Sequence, residues 1–311
     1  MALHPALRAM LDKGAGLPPM HTLPLATLRA GDVARYSFDV PMDAVGAVED
    51  RRIAGPGGDL RLRIYRPPSP SPQPQPVTLF CHGGGFAICG IETHERMCRR
   101  LCRGGETIVV AVEYRLAPEH RYPAAADDCL AAARWVAGHA ATFGGDAARL
   151  AVAGDRAGGN LAAVTALRAR DEGGPAIRAQ LLFYPVTDHY SVQRPSWEQC
   201  ASGFGLTRET MMWFWDLYLA RPEDGAQPGA SPARAAHFAG LPPACIVTAE
   251  YDVLRDEGEA YAALLRRDGG AVDLVRRSGM NHGFLNWIGL LEPATETMDA
   301  AGAWLRRMLQ H

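Results

Sequence analysis

Short apolar runs rich in β-branched and aromatic residues recur along the chain, and each reads as a strand: LRLRIYR (60–66), VTLFCH (77–82), TIVVAVEY (107–114), RLAVAG (149–154), AQLLFYP (179–185), ACIVTAE (244–250) and VDLVRR (272–277). Between them ETHERMCRRLCRG (92–104), PAAADDCLAAARWVAGHA (123–140), GGNLAAVTALRARDEG (158–173) and LRDEGEAYAALLRRDG (254–269) carry helical spacing. Near-continuous apolar strands separated by helices predict an α/β fold with a mainly parallel sheet covered on both faces. Two stretches break the alternation. Residues 1–45 are helix-rich and punctuated by proline, and residues 188–225 carry LTRETMMWFWDLYLA (206–220), whose aromatic and Met positions go nearly all round a helix. Both are expected to form a cap over a core made of residues 46–187 and 226–311.

Composition narrows the partners. At 48% hydrophobic and 21% charged residues the chain has ordinary soluble usage, and its net charge of −2 gives nucleic acid or an anionic membrane no electrostatic attraction. A small molecule is the expected partner. No segment approaches the roughly 18 apolar residues of a membrane helix, and the N-terminus lacks a signal-peptide pattern, so a cytoplasmic location is expected. Seven cysteines without paired metal-type spacing predict reduced thiols and no metal. Cys98 and Cys102, four residues apart on one helix face, read as small buried apolar residues. The Pro-rich stretch at 66–76 reads as a stiff surface connection.

The candidate chemistry lies just past strand ends, where open α/β sheets bind ligands. Three glycines, Gly83, Gly84 and Gly85, follow His82 and let backbone amides approach a ligand, as an oxyanion hole requires. Phe86 stands behind them. In GDRAGGNL (154–161) the glycines permit a sharp strand-to-helix turn with Arg156 at its apex, Asp155 before it and Ala157 after it. Asp252 follows a strand in TAEYDVLRDEGEAY (248–261), and His282 sits in SGMNHGF (278–284) after the last strand. The order elbow, acid, histidine is that of α/β-hydrolases.

HGGGF (82–86), VEYRLAPEHRYPAAADD (112–128), GDRAGGNL, DVLRDEGEAY (252–261) and GMNHGF (279–284) together closely resemble the hormone-sensitive-lipase-like carboxylesterases, whose bacterial branch carries His-Gly-Gly-Gly and Gly-Asp-Ser-Ala-Gly signatures. The resemblance implies an α/β-hydrolase fold with a helical cap, no cofactor, hydrolysis of short to medium acyl esters, and a homodimer as one form the family adopts. By position it makes His282 the general base, Asp252 its orienting carboxylate, and the amides of Gly83, Gly84, Gly85 and Ala157 the oxyanion donors. Phe86, Trp213, Phe214 and Phe284 are the candidate substrate contacts, with Trp213, Phe214, Trp215 and Tyr218 also read as cap core. Val253 stands where the family usually has proline.

One position departs from the pattern in kind. The nucleophilic serine maps onto Arg156, whose guanidinium stays protonated and cannot form an acyl-enzyme. Cys81, Ser202 and Ser278 lack an elbow context and are poor substitutes. Three readings are open: an esterase disabled at its nucleophile, a ligand-binding pseudoenzyme in which Arg156 clamps an anion such as a carboxylate, and a lyase-type enzyme with His282 as base. The first expects the guanidinium to settle on a local acidic or carbonyl partner or to leave for solvent, and retained strain at the apex would mark a recent substitution.

Overall fold

Strands that are apolar on both faces must be covered on both, and in the computed structural model, which describes residues 2–69 and 71–310, they form one eight-stranded sheet between two helical layers. The strands are β1 (Ala47–Gly55), β2 (Gly58–Arg66), β3 (Gln75–Cys81), β4 (Ile108–Glu113), β5 (Gly145–Asp155), β6 (Ile177–Phe183), β7 (Ala244–Tyr251) and β8 (Val272–Asn281). Their spatial order is β1-β2-β4-β3-β5-β6-β7-β8. β1, β2 and β4 pair antiparallel, and every pair from β4–β3 to β7–β8 is parallel.

The helices are α1 (Pro5–Lys13), α2 (Leu25–Arg35), α3 (Glu95–Gly105), α4 (Ala124–His139), α5 (Ala157–Asp171), α6 (Pro195–Gln199), α7 (Arg208–Tyr218), α8 (Arg255–Arg267) and α9 (Glu292–Leu309). Alternate strand residues feed opposite cores. Leu79, Cys81, Leu150 and Val152 pack with α4 and α5, while Phe80, Ala151 and Ala153 pack with α3 and α9. Cys98 and Cys102 are fully buried in the second core, and all seven cysteines are free and buried, as their apolar reading requires. Pro70 of the Pro-rich stretch lies outside the described residues.

β1 carries no strand signal in the sequence because it is an edge whose side chains are largely charged and exposed. It is held by its hairpin with β2, paired from Ala47↔Arg66 to Gly55↔Gly58, and by ion pairs of Asp50 with Arg61 and Arg63. The two stretches outside the α/β alternation are helical, carrying α1 and α2 in the first and α6 and α7 in the second. On α7 the residues Met211, Phe214, Trp215 and Tyr218 are buried while Met212 is exposed. Among the described residues no helix is long and apolar enough to cross a membrane.

Candidate active site

The turn between β5 and α5 is tight because its glycines leave room for close backbone contact: a Cβ on Gly158 would lie 2.0 Å from the Cys81 carbonyl oxygen. Arg156, at the apex, has φ 56° and ψ −121°, a conformation that costs a non-glycine residue about 1–3 kcal/mol. The surrounding backbone holds it there. Its N–H donates to the Phe183 carbonyl at 2.9 Å, and its carbonyl accepts from Asn160 and Val186, each at 3.1 Å.

The Arg156 side chain is only 12% exposed. Nη2 donates to Asn286 Oδ1 at 2.8 Å, and Nε lies 3.0 Å from Asp155 Oδ2, an ion pair without an aligned hydrogen bond. The guanidinium carbon is 6.0 Å from the centre of the Tyr36 ring. Burial opposes the charge, but Tyr36 and Asp155 outweigh it and push the guanidinium pKa further up. Asp155 is the hub beneath the apex. Its other oxygen accepts the Gly83 N–H at 2.8 Å and lies 3.1 Å from His94 Nε2. Burial alone would raise its pKa; His94 and Arg156 hold it well below the usual carboxylate range.

That bond corrects one expectation. The Gly83 amide is committed to Asp155, so it cannot serve as an oxyanion donor. The N–H groups of Gly84, Gly85 and Ala157 meet no acceptor among the described residues, and all three residues line one cavity. Gly84, at φ 123°, accepts the N–H groups of Ala87 and Ile88 on its carbonyl, closing a turn behind the free amides. His82 serves this loop structurally. Its Nδ1 bonds the Gly83 carbonyl at 2.8 Å, its ring stacks on Tyr114 at 4.1 Å, and burial drives its pKa down to about 3, so it stays neutral.

Asp252 follows β7 and His282 follows β8, and the parallel pairing of these neighbours brings them together. His282 Nδ1 meets Asp252 Oδ2 at 2.8 Å, while Asp252 Oδ1 accepts the Leu254 N–H at 2.9 Å. Asp252 is buried, which fixes the imidazole orientation and leaves the other ring nitrogen for the cavity. Val253 is fully buried. Arg156 and His282 both line the cavity, which encloses about 360 Å³.

The cavity walls come from α1, the α2 end, α7 and the loops at 84–88, 205–207 and 281–287. Of the four aromatic residues expected to touch substrate, Phe214 lines the cavity; Phe86, Trp213 and Phe284 do not. Phe86 is buried and stacked on Tyr218 at 3.7 Å, Phe284 is buried against Tyr184, and half-buried Trp213 packs on Phe214. Apolar character marked them, but backbone position turns Phe86 and Phe284 into the core and leaves Trp213 half-buried beside Phe214. The sequence reading missed Met20, Tyr36, Met211, Asn286 and Trp287 as lining residues. Asn286 had one available signal, its place four residues after His282. Cys81, Ser202 and Ser278 do not line the cavity, and Cys81 is buried with its Sγ 3.5 Å from that of Cys129. Among the described residues no group of three or more His, Cys, Asp or Glu could hold a metal ion.

A family profile described as alpha/beta hydrolase fold matches residues 78–286. Esterase LipI of Mycobacterium tuberculosis is 43% identical over 264 residues, covering 84% of this chain and 82% of that protein. The ethyl acetate hydrolase of Pseudomonas putida is 37% identical, covering 95% of this chain and 96% of its own. The structure of a hyperthermophilic esterase from the archaeon Pyrobaculum calidifontis superposes with a TM-score of 0.92 at 40% identity, over 99% of both chains.

Proposed function

The chain belongs to the alpha/beta hydrolase family, with esterase relatives across most of its length, and from that premise we propose that it carries a carboxylesterase site for short to medium acyl esters whose acyl-transfer cycle is closed at Arg156. In such a cycle His282 takes the proton of a nucleophile at the apex and returns it to the leaving alcohol. Asp252 holds the imidazole and balances the imidazolium. The free amides of Gly84, Gly85 and Ala157 receive the negative charge that develops on the substrate carbonyl oxygen. The missing part is an oxygen at the apex that can lose a proton and bond to carbon.

The observation that carries this reading is the apex itself: it keeps φ 56° and ψ −121°, while His282, Asp252 and the free amides stand around it. Arginine gains no catalytic return from that strain. The side chain rests on local partners, Asp155 beside Nε and Asn286 on Nη2, as a blocked nucleophile position is expected to.

Turnover of p-nitrophenyl acetate and butyrate tests the proposal. Loss of the nucleophile typically removes about six orders of magnitude, so Arg156→Ser is expected to hydrolyse these esters at least about a thousandfold faster than the chain as given. A folded Arg156→Ser variant without activity would overturn it.

A further inference from the structure

The oxyanion turn is braced from outside by α2. Gly84 through Cys89 form a turn with left-handed backbone at the non-glycine residues Phe86, φ 62°, and Cys89, φ 68°. Internal bonds close only part of it. The Gly84 carbonyl accepts from Ala87 and Ile88, which leaves the Ala87 carbonyl and the Cys89 N–H on its outer side. Both are taken by α2. Arg29 Nε donates to the Ala87 carbonyl at 2.8 Å, and Asp32 Oδ2 accepts the Cys89 N–H at 2.8 Å.

Arg29 and Asp32 are three residues apart and therefore on one helix face. Arg29 Nη2 also donates to the Ala117 carbonyl at 2.7 Å, and the Ala117 N–H donates to the Phe86 carbonyl at 2.9 Å, so a third point of the turn is tied to the same side chain. Glu119 steadies the guanidinium through two bonds of 2.9 and 2.8 Å. Asp32 is only 4% exposed; its second oxygen accepts no hydrogen bond and lies 3.8 Å from Arg35 Nη1. The one hydrogen bond its carboxylate makes among the described residues is to the Cys89 amide, and burying a carboxylate is costly unless its partners hold it.

We propose that Arg29 and Asp32 of α2 are positioning residues that set the oxyanion amides of Gly84 and Gly85, so that the N-terminal helical segment completes the oxyanion hole as well as walling the cavity. This rests on the esterase reading of the site for its functional consequence, though not for its geometry. The helix also connects the two tasks: Arg35 and Tyr36, at its end, line the cavity, so a ligand touching that wall acts on the element that braces the turn.

The test has two arms. In the Arg156→Ser background, Asp32→Ala is expected to lower kcat by about 10–100-fold with KM changed less than about threefold, because amides displaced by a fraction of an ångström stabilise the transition state less while ground-state contacts persist. Asp32→Asn keeps an acceptor oxygen and is expected to stay within about threefold of its parent. In the chain as given, where no activity is needed, Asp32→Ala is expected to speed hydrogen exchange of the Cys89 N–H by about tenfold or more. Should Asp32→Ala fail to fold, Arg29→Gln replaces it with the same expected kcat loss. Unchanged kcat, a loss confined to KM, or unchanged Cys89 exchange would overturn the proposal. If the Arg156→Ser variant is itself inactive the esterase reading fails, and the exchange arm alone then decides whether α2 braces the turn.

Discussion

A guanidinium at position 156 changes the charge balance beneath the elbow as well as the chemistry above it. Asp155 is fully buried, and two positive partners face it: the His94 imidazole when protonated, and Arg156. Arg156→Ser removes the permanent one. Leaving a buried charge without its partner typically costs about 3–5 kcal/mol, and the expected loss here is smaller because His94 and the Gly83 amide remain. Its pH dependence follows from linkage. The folded-state pKa of Asp155 is depressed, so its contribution is present above the unfolded value and is lost as pH falls through the folded one. Chemical denaturation of both chains should therefore show the Arg156 chain more stable at pH 7, with the gap narrowing on acidification once Asp155 of the Arg156→Ser variant takes up its proton. A gap that widens on acidification would mean that the guanidinium does not depress Asp155.

Elements were legible in the sequence where burial on two faces forced apolar runs, as in β3 to β7, and illegible where an edge is held by charge pairs, as in β1. Asp252, His282 and the glycine loop could be placed because each follows a strand within a few residues, so chain position alone fixes the side of the sheet. Substrate contacts could not be read in this way. Trp213 and Phe214 are adjacent on α7, yet only Phe214 lines the cavity, since helix rotation is set by tertiary packing rather than by residue type. The join between α8 and the second helical segment was also missed. It rests on Glu257, fully buried, whose Oε1 accepts the Thr187 N–H at 2.8 Å and whose Oε2 lies 3.4 Å from Trp197 Nε1. Burial raises its pKa to about 8 against the opposing pull of the Thr187 amide. A carboxyl raised in the folded state supports folding while protonated, and that support fades as pH rises from the unfolded value of about 4 through about 8. Glu257→Gln should flatten this part of the stability profile and melt higher than its parent at pH 9. Parallel profiles for the two chains across pH 5–9 would contradict the assignment.

For the molecule as a whole, the site is an assembly of distant parts: an amide turn after β3, an apex between β5 and α5, an acid after β7, a histidine after β8, and walls from helices near residues 7–36 and 205–214. A single side chain at the apex can silence such a site without disturbing the sheet that aligns the rest. The central claim is therefore that the machinery is complete apart from one nucleophilic oxygen. Intact-mass measurement after incubation with a p-nitrophenyl alkylphosphonate reads this most directly, because a serine in a working elbow attacks phosphorus, expels nitrophenolate and keeps the phosphonyl group, with the oxyanion amides holding the phosphoryl oxygen. One phosphonyl group per chain is expected in Arg156→Ser, mapped by peptide sequencing to position 156, and none in the chain that carries Arg156. Labelling of the chain as given at another residue, or a folded Arg156→Ser variant that takes up no phosphonyl group, would contradict it.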